Sequence, residues 1–190
     1  HIGWSQLAEH RSINVTGTQY VAEAALAQEA QMVYVSSVDA LGIGSPEKSA
    51  DEQTPRVGKT PCSYVVSKLE AEVALREVID RGLHASIVNP GFILGPWDWK
   101  PSSGRMLLEV AKRHTPLAPR GGMTLCHVND VTKGILTALD QGASGRNYIL
   151  GGHQITYLDA WRLFAEVSGG RPPKKVLGPV VQVVAGFLGD

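Results

Sequence analysis

A tyrosine and a lysine lie four positions apart in SYVVSKLE, residues 63–70. If this segment is helical, the phenol of Tyr64 and the ammonium of Lys68 face the same side, one turn apart. At about 4 Å, an ammonium attracts a phenolate by roughly 4 kcal/mol at an effective dielectric constant of 20, or about three pKa units. The spacing therefore predicts that the pKa of Tyr64 falls to near neutral pH, as a general acid or base requires.

The surrounding elements place a hydroxyl beside this pair. The β-branched run at 32–38 predicts a buried strand that ends in Ser36 and Ser37. A loop rich in glycine, proline and charge follows at 42–61, and loops of this length are usually functional. We expect Ser37, which is nearer the loop, to orient a reacting oxygen against Tyr64, and Ser36 to be structural.

The remaining periodicity predicts an α/β domain. Helices are expected at 5–29, beginning near Ser12, and at 62–82, and a second buried strand at 84–90. Alternation of strands and helices favours a parallel sheet with helices on both faces, and ligands then bind at the carboxyl ends of the strands. Further helices are predicted at 103–114, 130–140 and 157–168, strands at 124–128 and 147–150, and a core or interface helix at 179–190.

Composition excludes several classes of function. Of 190 residues, 18 are Lys or Arg and 18 are Asp or Glu, so no basic field exists to attract nucleic acid or an anionic membrane. Cys62 and Cys126 lack the spacing of metal ligands, so we expect no metal and two reduced structural thiols. Without a long apolar run or a secretory signal, we expect a cytoplasmic protein with no membrane partner. The first residue, His1, suggests that further residues precede it.

Ordered motifs along the chain resemble a known superfamily. INVTGT, VYVSSVDALG, YVVSK, NPGFILGP, GGMTLCHVNDVTKGI and GRNYILGG are similar to motifs of the extended short-chain dehydrogenases/reductases. That branch includes nucleotide-sugar epimerases, dihydroflavonol reductases and hydroxysteroid dehydrogenases. The resemblance implies a doubly wound, Rossmann-like parallel sheet, formed by residues 1–96 and 127–148. It also implies a small carboxyl-terminal substrate lobe, formed by 97–126 and 149–190.

The resemblance also implies roles for individual residues. Tyr64 exchanges a proton with the substrate oxygen, Lys68 lowers its pKa and hydrogen-bonds the nicotinamide ribose, and Ser37 orients the substrate oxygen. The resemblance implies NAD or NADP as the cofactor, contacted near its nicotinamide end by Asn14, Asn89, Pro90, Gly91 and Ile93. It also places Asn14 in a water-mediated proton path. Hydride chemistry belongs to the cofactor, and the protein supplies positioning and proton transfer.

Two departures from the superfamily pattern narrow the function. The glycine-rich pyrophosphate turn is absent, and we expect it before His1. Met123 replaces an arginine that meets nucleotide phosphates in similar epimerases, and Leu41 replaces an aromatic residue. The leading hypothesis is therefore a carbonyl reductase or alcohol dehydrogenase acting on a small molecule. The alternatives are a sugar epimerase or dehydratase and a non-catalytic dinucleotide sensor. Helices 12–29 and 62–81 are expected to pair in a homodimer.

Four other positions have competing interpretations. Asn89 either caps the turn after its strand or contacts the cofactor. His127 is interpreted as a packed residue, and Asp130 as the N-cap of the following helix. Trp97 and Trp99 either stack on a flat substrate or pack the core of the lobe, and the sequence does not choose between these.

Overall fold

The computed structural model describes residues 6–45, 47–59, 61–99, 101, 103–112 and 116–178. These residues form two compact units. The first comprises His1–Pro90 and Val131–Leu150, and the second comprises Gly91–Asp130 and Gly151–Asp190. The first unit's amino-terminal segment ends at Pro90, and residues 92–94 form a strand that pairs within the second unit.

The helices follow the predicted order with shifted ends. They are α1 Leu7–His10, α2 Gly17–Ala27, α3 Ser63–Ile79, α4 Ser103–Lys112, α5 Val128–Gln141 and α6 Tyr157–Ser168. A π-helical turn, Arg11–Thr16, joins α1 to α2, so this helix begins before Ser12. Helix α5 begins at Val128, which places Asp130 in its first turn rather than at the N-cap. The segment predicted as a closing helix, 179–190, lies outside the described residues.

The strands include several that periodicity did not predict. They are β1 Met32–Val35, β2 Ala85–Pro90, β3 Phe92–Leu94, β4 Leu117–Ala118, β5 Gly122–His127, β6 Asn147–Leu150, β7 His153–Thr156 and β8 Lys175–Val176. Strands β3, β4, β7 and β8 are short, between two and four residues. Runs this short lack enough alternation to be recognised in a sequence.

The first unit is built on a parallel sheet in the order β1-β2-β6. In its register, Tyr34 of β1 pairs with Ile87 of β2, which in turn pairs with Asn147 of β6. Every residue of β2 is buried, as expected for the central strand of a covered parallel sheet. The core joins α2, α3, β1 and β2 through Ala22, Tyr34, Ala71, Leu75, Val78, Leu83, Ala85 and Ile87. This architecture confirms the α/β prediction.

The second unit contains a mixed sheet in the order β3-β5-β7, in which β3 and β5 are parallel and β5 and β7 antiparallel. A separate parallel pair joins β4 and β8. Helices α4 and α6 supply its buried cluster of Val110, Ala160, Phe164 and Ala165. Helix α6 is capped by Thr156, whose hydroxyl accepts from the Asp159 amide at 3.1 Å, and it ends at Gly169 in the left-handed conformation.

Candidate active site

Strand β1 delivers two buried serines to the carboxyl-terminal edge of the first sheet. The Ser36 amide donates to the Val88 carbonyl at 2.8 Å and so extends the pairing of β1 with β2. Ser37 follows in an extended conformation, and its hydroxyl accepts from the Asp39 amide at 3.1 Å. This bond caps a 3₁₀ turn at Val38–Ala40, which directs the chain away from the sheet and leaves the Ser37 side chain at its edge.

The first turns of α3 bring Tyr64 and Lys68 to Ser37. Both α3 side chains are half-buried. The Ser37 hydroxyl is close enough to the Tyr64 phenol to lower its pKa. Lys68 Nζ lies 6.0 Å from the centre of the Tyr64 ring and 5.5 Å from that of Tyr34, and donates to the Val35 carbonyl at 3.3 Å. The three residues that sequence reasoning selected for catalysis thus lie together at one edge of the sheet.

The electrostatics of Tyr64 contradict the sequence prediction. Burial raises the pKa of the phenol above its ordinary value of 10.0, the nearby Asp39 carboxylate adds to this, and the Ser37 hydrogen bond opposes it. The expected lowering by Lys68 is absent; its ammonium lies over the Tyr64 ring, 6.0 Å from the ring centre. Burial also lowers the pKa of Lys68, and the negative charge of Glu72 raises it. In this structure the phenol keeps its proton at neutral pH, which is the form that donates.

Asn14 is linked to α3 rather than isolated on its own helix. It lies on the π-helical turn Arg11–Thr16, a kind of turn that often occurs at functional sites. Its side-chain amide donates to the Ser67 hydroxyl at 2.9 Å, and that hydroxyl donates to the Tyr64 carbonyl at 3.0 Å. The contact between Asn14 and a cofactor stays a prediction.

Asn89 is fully buried, and both polar atoms of its side chain are used within the protein. Nδ2 donates to the Ser37 carbonyl and to Glu72 Oε1, each at 2.9 Å. Oδ1 accepts from Asn147 Nδ2 at 2.8 Å. Both polar atoms of this side chain thus have partners within the protein, and contact between Asn89 and a cofactor stays a prediction. Its position ties β2 and β6 to the backbone of Ser37.

The other residues predicted beside the nicotinamide lie where the chain passes from one unit to the next. Pro90 is the buried last residue of β2. In the second unit, Ile93 pairs with Cys126. A Cβ added at Gly91 would lie 2.4 Å from Thr124 Cγ2, so the close approach of β5 explains this glycine. For these three residues, contact with a cofactor stays a prediction.

Glu72 and Arg56 are functional candidates that sequence reasoning missed. Glu72 lies one turn beyond Lys68 on α3, and its carboxylate is fully buried. Oε1 accepts from Ser36 Oγ at 2.6 Å, besides Asn89, and Oε2 accepts from Arg56 at 2.6 Å and from Asn147 at 3.1 Å. A charged residue four positions after Lys68, between the apolar Ala71 and Val73, is the signal that would have found Glu72.

The positions with competing interpretations are now placed. Trp97 and Trp99 are 78% and 81% exposed, so they do not pack a core, and their ring centres lie 5.7 Å apart. His127 is exposed, which corrects its interpretation as a packed residue. Cys126 is buried and Cys62 half-buried, both as free thiols. Within the described residues, no helix is long and apolar enough to cross a membrane.

Comparison with known proteins decides the family. The sequence profile of the NAD dependent epimerase/dehydratase family matches residues 1–151. The chain belongs to this family. A curated relative, a putative dihydroflavonol 4-reductase from Synechocystis sp., is 34% identical to this chain over 174 residues. This alignment covers 86% of this chain and 50% of the relative. Sterol demethylase protein B from Methylococcus capsulatus is 32% identical over 182 residues, 94% of this chain and 55% of the relative.

A solved structure extends the family likeness to the fold. The crystal structure of gox2253 is 36% identical and matches with a TM-score of 0.82 over 97% of this chain and 60% of that chain. The extended short-chain dehydrogenase/reductase assignment and the Rossmann-like fold are therefore confirmed, and NAD or NADP is the cofactor of such enzymes. The chain spans about half the length of the curated relatives it matches. The homodimer, the cytoplasmic location and the predicted domain limits stay predictions.

Proposed function

We propose that the full-length protein is an NAD(P)-dependent carbonyl reductase or alcohol dehydrogenase that uses Ser37, Tyr64 and Lys68. The observation that carries this proposal is the meeting of three groups at the carboxyl edge of a parallel sheet. These are the Ser37 hydroxyl, the Tyr64 phenol whose pKa that hydroxyl lowers, and an ammonium 6.0 Å from the phenol ring. In open α/β sheets, this edge is where ligands bind.

The residues present fit a nicotinamide cofactor. An ammonium has three N–H donors, and the contact described for Lys68 Nζ with the Val35 carbonyl uses one of them. Lys68 would hold the ribose of the cofactor through its other donors, beside the half-buried Tyr64. When bound, the cofactor supplies or accepts the hydride.

The chain's own groups then carry the proton. In the reducing direction, the Tyr64 phenol donates its proton to the oxygen of the carbonyl, and the Ser37 hydroxyl hydrogen-bonds that oxygen and holds it in reach. The raised pKa of Tyr64 favours this direction, because a protonated phenol is the donor form. The phenolate that remains takes up a proton from solvent, which restores the donor form.

The substrate class follows from the relatives and from one side chain. The two curated relatives are named for dihydroflavonol and sterol chemistry, so we propose a cyclic, largely apolar ketone or alcohol as substrate. Met123 supports this choice over a nucleotide sugar. It packs against the apolar cluster of Val110 and Phe164, and a thioether cannot pair with a phosphate.

The test uses the full-length protein with NADPH or NADH and a panel of cyclic ketones and aldehydes. Oxidation of the cofactor is followed by absorbance. We expect Tyr64→Phe to lower kcat about 10²- to 10⁴-fold, the usual contribution of a general acid. Tyr20→Phe is the matched control, since this tyrosine of α2 is 71% exposed. Wild-type turnover in Tyr64→Phe would refute the assignment, and an inactive wild type that binds cofactor would favour the sensor.

A further inference from the structure

The long loop between β1 and α3 is fastened at two points. Arg56 donates to Glu72 Oε2 at 2.6 Å, and its side chain is 32% exposed whereas that of Glu72 is fully buried. Three residues later, Lys59 Nζ donates to the Val38 carbonyl at 2.8 Å and to Asp39 Oδ1 at 3.2 Å. Arg56 and Lys59 therefore both bind groups that adjoin the Ser37 segment.

The first fastening point continues directly to Ser37. Glu72 Oε1 accepts from Ser36 Oγ at 2.6 Å and from Asn89 Nδ2 at 2.9 Å. The same Asn89 nitrogen donates to the Ser37 carbonyl at 2.9 Å. The chain of contacts from Arg56 through Glu72 and Asn89 thus ends on the backbone of Ser37, whose hydroxyl lowers the pKa of Tyr64.

The second fastening point lies on the other side of Ser37. Val38 and Asp39 belong to the 3₁₀ turn that the Ser37 hydroxyl caps. Lys59 binds this turn through one carbonyl and one carboxylate oxygen. Ser37 is consequently held between two contacts of the same loop, one acting before it and one after it.

Burying a carboxylate is costly unless charge and hydrogen bonds compensate it. Well-packed apolar residues can stabilise a core as well as a buried ion pair does. Stability alone therefore does not explain why Glu72 is buried with an arginine from a distant loop. The arrangement does have a geometric consequence, since it sets where the Ser37 segment lies relative to α3.

We propose that Arg56, Glu72 and Lys59 are positioning residues, which we call the loop clamp, and that they hold Ser37 against Tyr64. This inference rests on the proposed function, because its effect on turnover requires Ser37 and Tyr64 to act together. The clamp acts on Ser37 through protein groups: the Glu72 carboxylate, the Val38 carbonyl and the Asp39 carboxylate. A misplacement of about 1 Å at a reacting group can cost about 100-fold in rate.

The experiment compares Arg56→Met, Lys59→Met and Glu72→Gln in the full-length protein. Lys48→Met is the matched control, because Lys48 is an exposed lysine of the same loop outside the clamp. We expect Arg56→Met and Lys59→Met each to lower kcat about 10- to 100-fold, with KM changed less than about threefold, since substrate contacts remain. Arg56→Lys, which keeps the charge but not the fork of donors, should recover part of kcat.

Hydrogen exchange supplies a readout that does not depend on turnover. Amides of residues 37–40 and 47–59 should exchange at least about tenfold faster in Arg56→Met and Lys59→Met than in Lys48→Met, because the contacts that hold them are lost. Unchanged kcat and unchanged exchange in both variants would overturn the clamp. If Glu72→Gln does not fold, the Arg56 and Lys59 variants still decide the question.

The outcome also separates the clamp from the proposed function. If Tyr64→Phe is inactive while the clamp variants exchange and react as the wild type does, only the clamp is refuted. If Tyr64→Phe is fully active but loop exchange accelerates in the clamp variants, the proposed chemistry is refuted and the clamp remains as a structural device.

Discussion

Replacing Asn89 with aspartate tests the buried network at its centre. Asn89 Nδ2 lies 2.9 Å from Glu72 Oε1, and aspartate of the same shape puts an oxygen there. Two carboxylates at this distance repel each other by about 6 kcal/mol at an effective dielectric constant of 20. Binding one proton at pH 7, about three units above the ordinary pKa of a carboxyl, costs only about 4 kcal/mol. The folded pair therefore takes up a proton.

The sign of the pH dependence follows from this proton. In the folded variant the pKa of the introduced carboxyl is raised above its value in the unfolded chain. The variant therefore keeps its full stability below about pH 4, where this carboxyl is protonated in both states. As the pH rises further, the free energy of unfolding of the variant falls by about 1.4 kcal/mol per pH unit until the introduced carboxyl ionises in the folded state. The Arg56 guanidinium, 2.6 Å from the other oxygen of Glu72, offsets part of the repulsion.

The assay is urea unfolding of the full-length protein at pH 5 and pH 7. Relative to the wild type, Asn89→Asp should lose about 2 to 3 kcal/mol more at pH 7 than at pH 5. Asn129→Asp is the control. Because Asn129 is exposed, the stability that this variant loses relative to the wild type should be the same at both pH values. If the curves of Asn89→Asp and wild type stay parallel between these pH values, Asn89 does not contact the Glu72 carboxylate as described.

Three further predictions concern stability. Burial raises the pKa of Tyr64, so the stability that this group contributes is fully present below pH 10 and is lost as the pH rises further. In urea unfolding at alkaline pH, the free energy of unfolding of Tyr64→Phe should therefore decline less steeply with pH than that of the wild type. Phe164→Ala should cost about 3 to 5 kcal/mol and Trp97→Ala less than about 0.5 in thermal unfolding, since only Phe164 is buried. Gly91→Ala should destabilise the protein by about 1 to 3 kcal/mol and so lower its Tm, because the added methyl would lie 2.4 Å from Thr124 Cγ2. An unchanged Tm would contradict that contact.

Much of the fold could be predicted where the pattern is long. The apolar period of 62–82 and 157–168 predicted helices that the structure places at Ser63–Ile79 and Tyr157–Ser168. Strands at 84–90 and 147–150 were also found, because buried β-branched runs are distinctive. The strands Phe92–Leu94 and His153–Thr156 were missed, since each owes its pairing to Gly122–His127 rather than to its own pattern.

The site shows the same division between local and distant causes. The order strand, loop and helix was sufficient to bring Ser37 to Tyr64, because the edge of a parallel sheet collects the ends of its strands. The pKa of Tyr64 was predicted in the wrong direction, because burial depends on the packing of distant residues. The partnership of Arg56 with Glu72 could not be predicted, because no local rule specifies the path of a long loop.

The split of the first unit between two segments constrains how it assembles on the ribosome. A nascent chain that has emerged only as far as Asp130 contains β1 and β2 but not β6, so the edge of β2 that β6 will occupy has no partner. Unpaired strand edges recruit other chains. Products truncated before Asn147 should therefore aggregate, and they would also lack the amide that Asn147 contributes to Glu72.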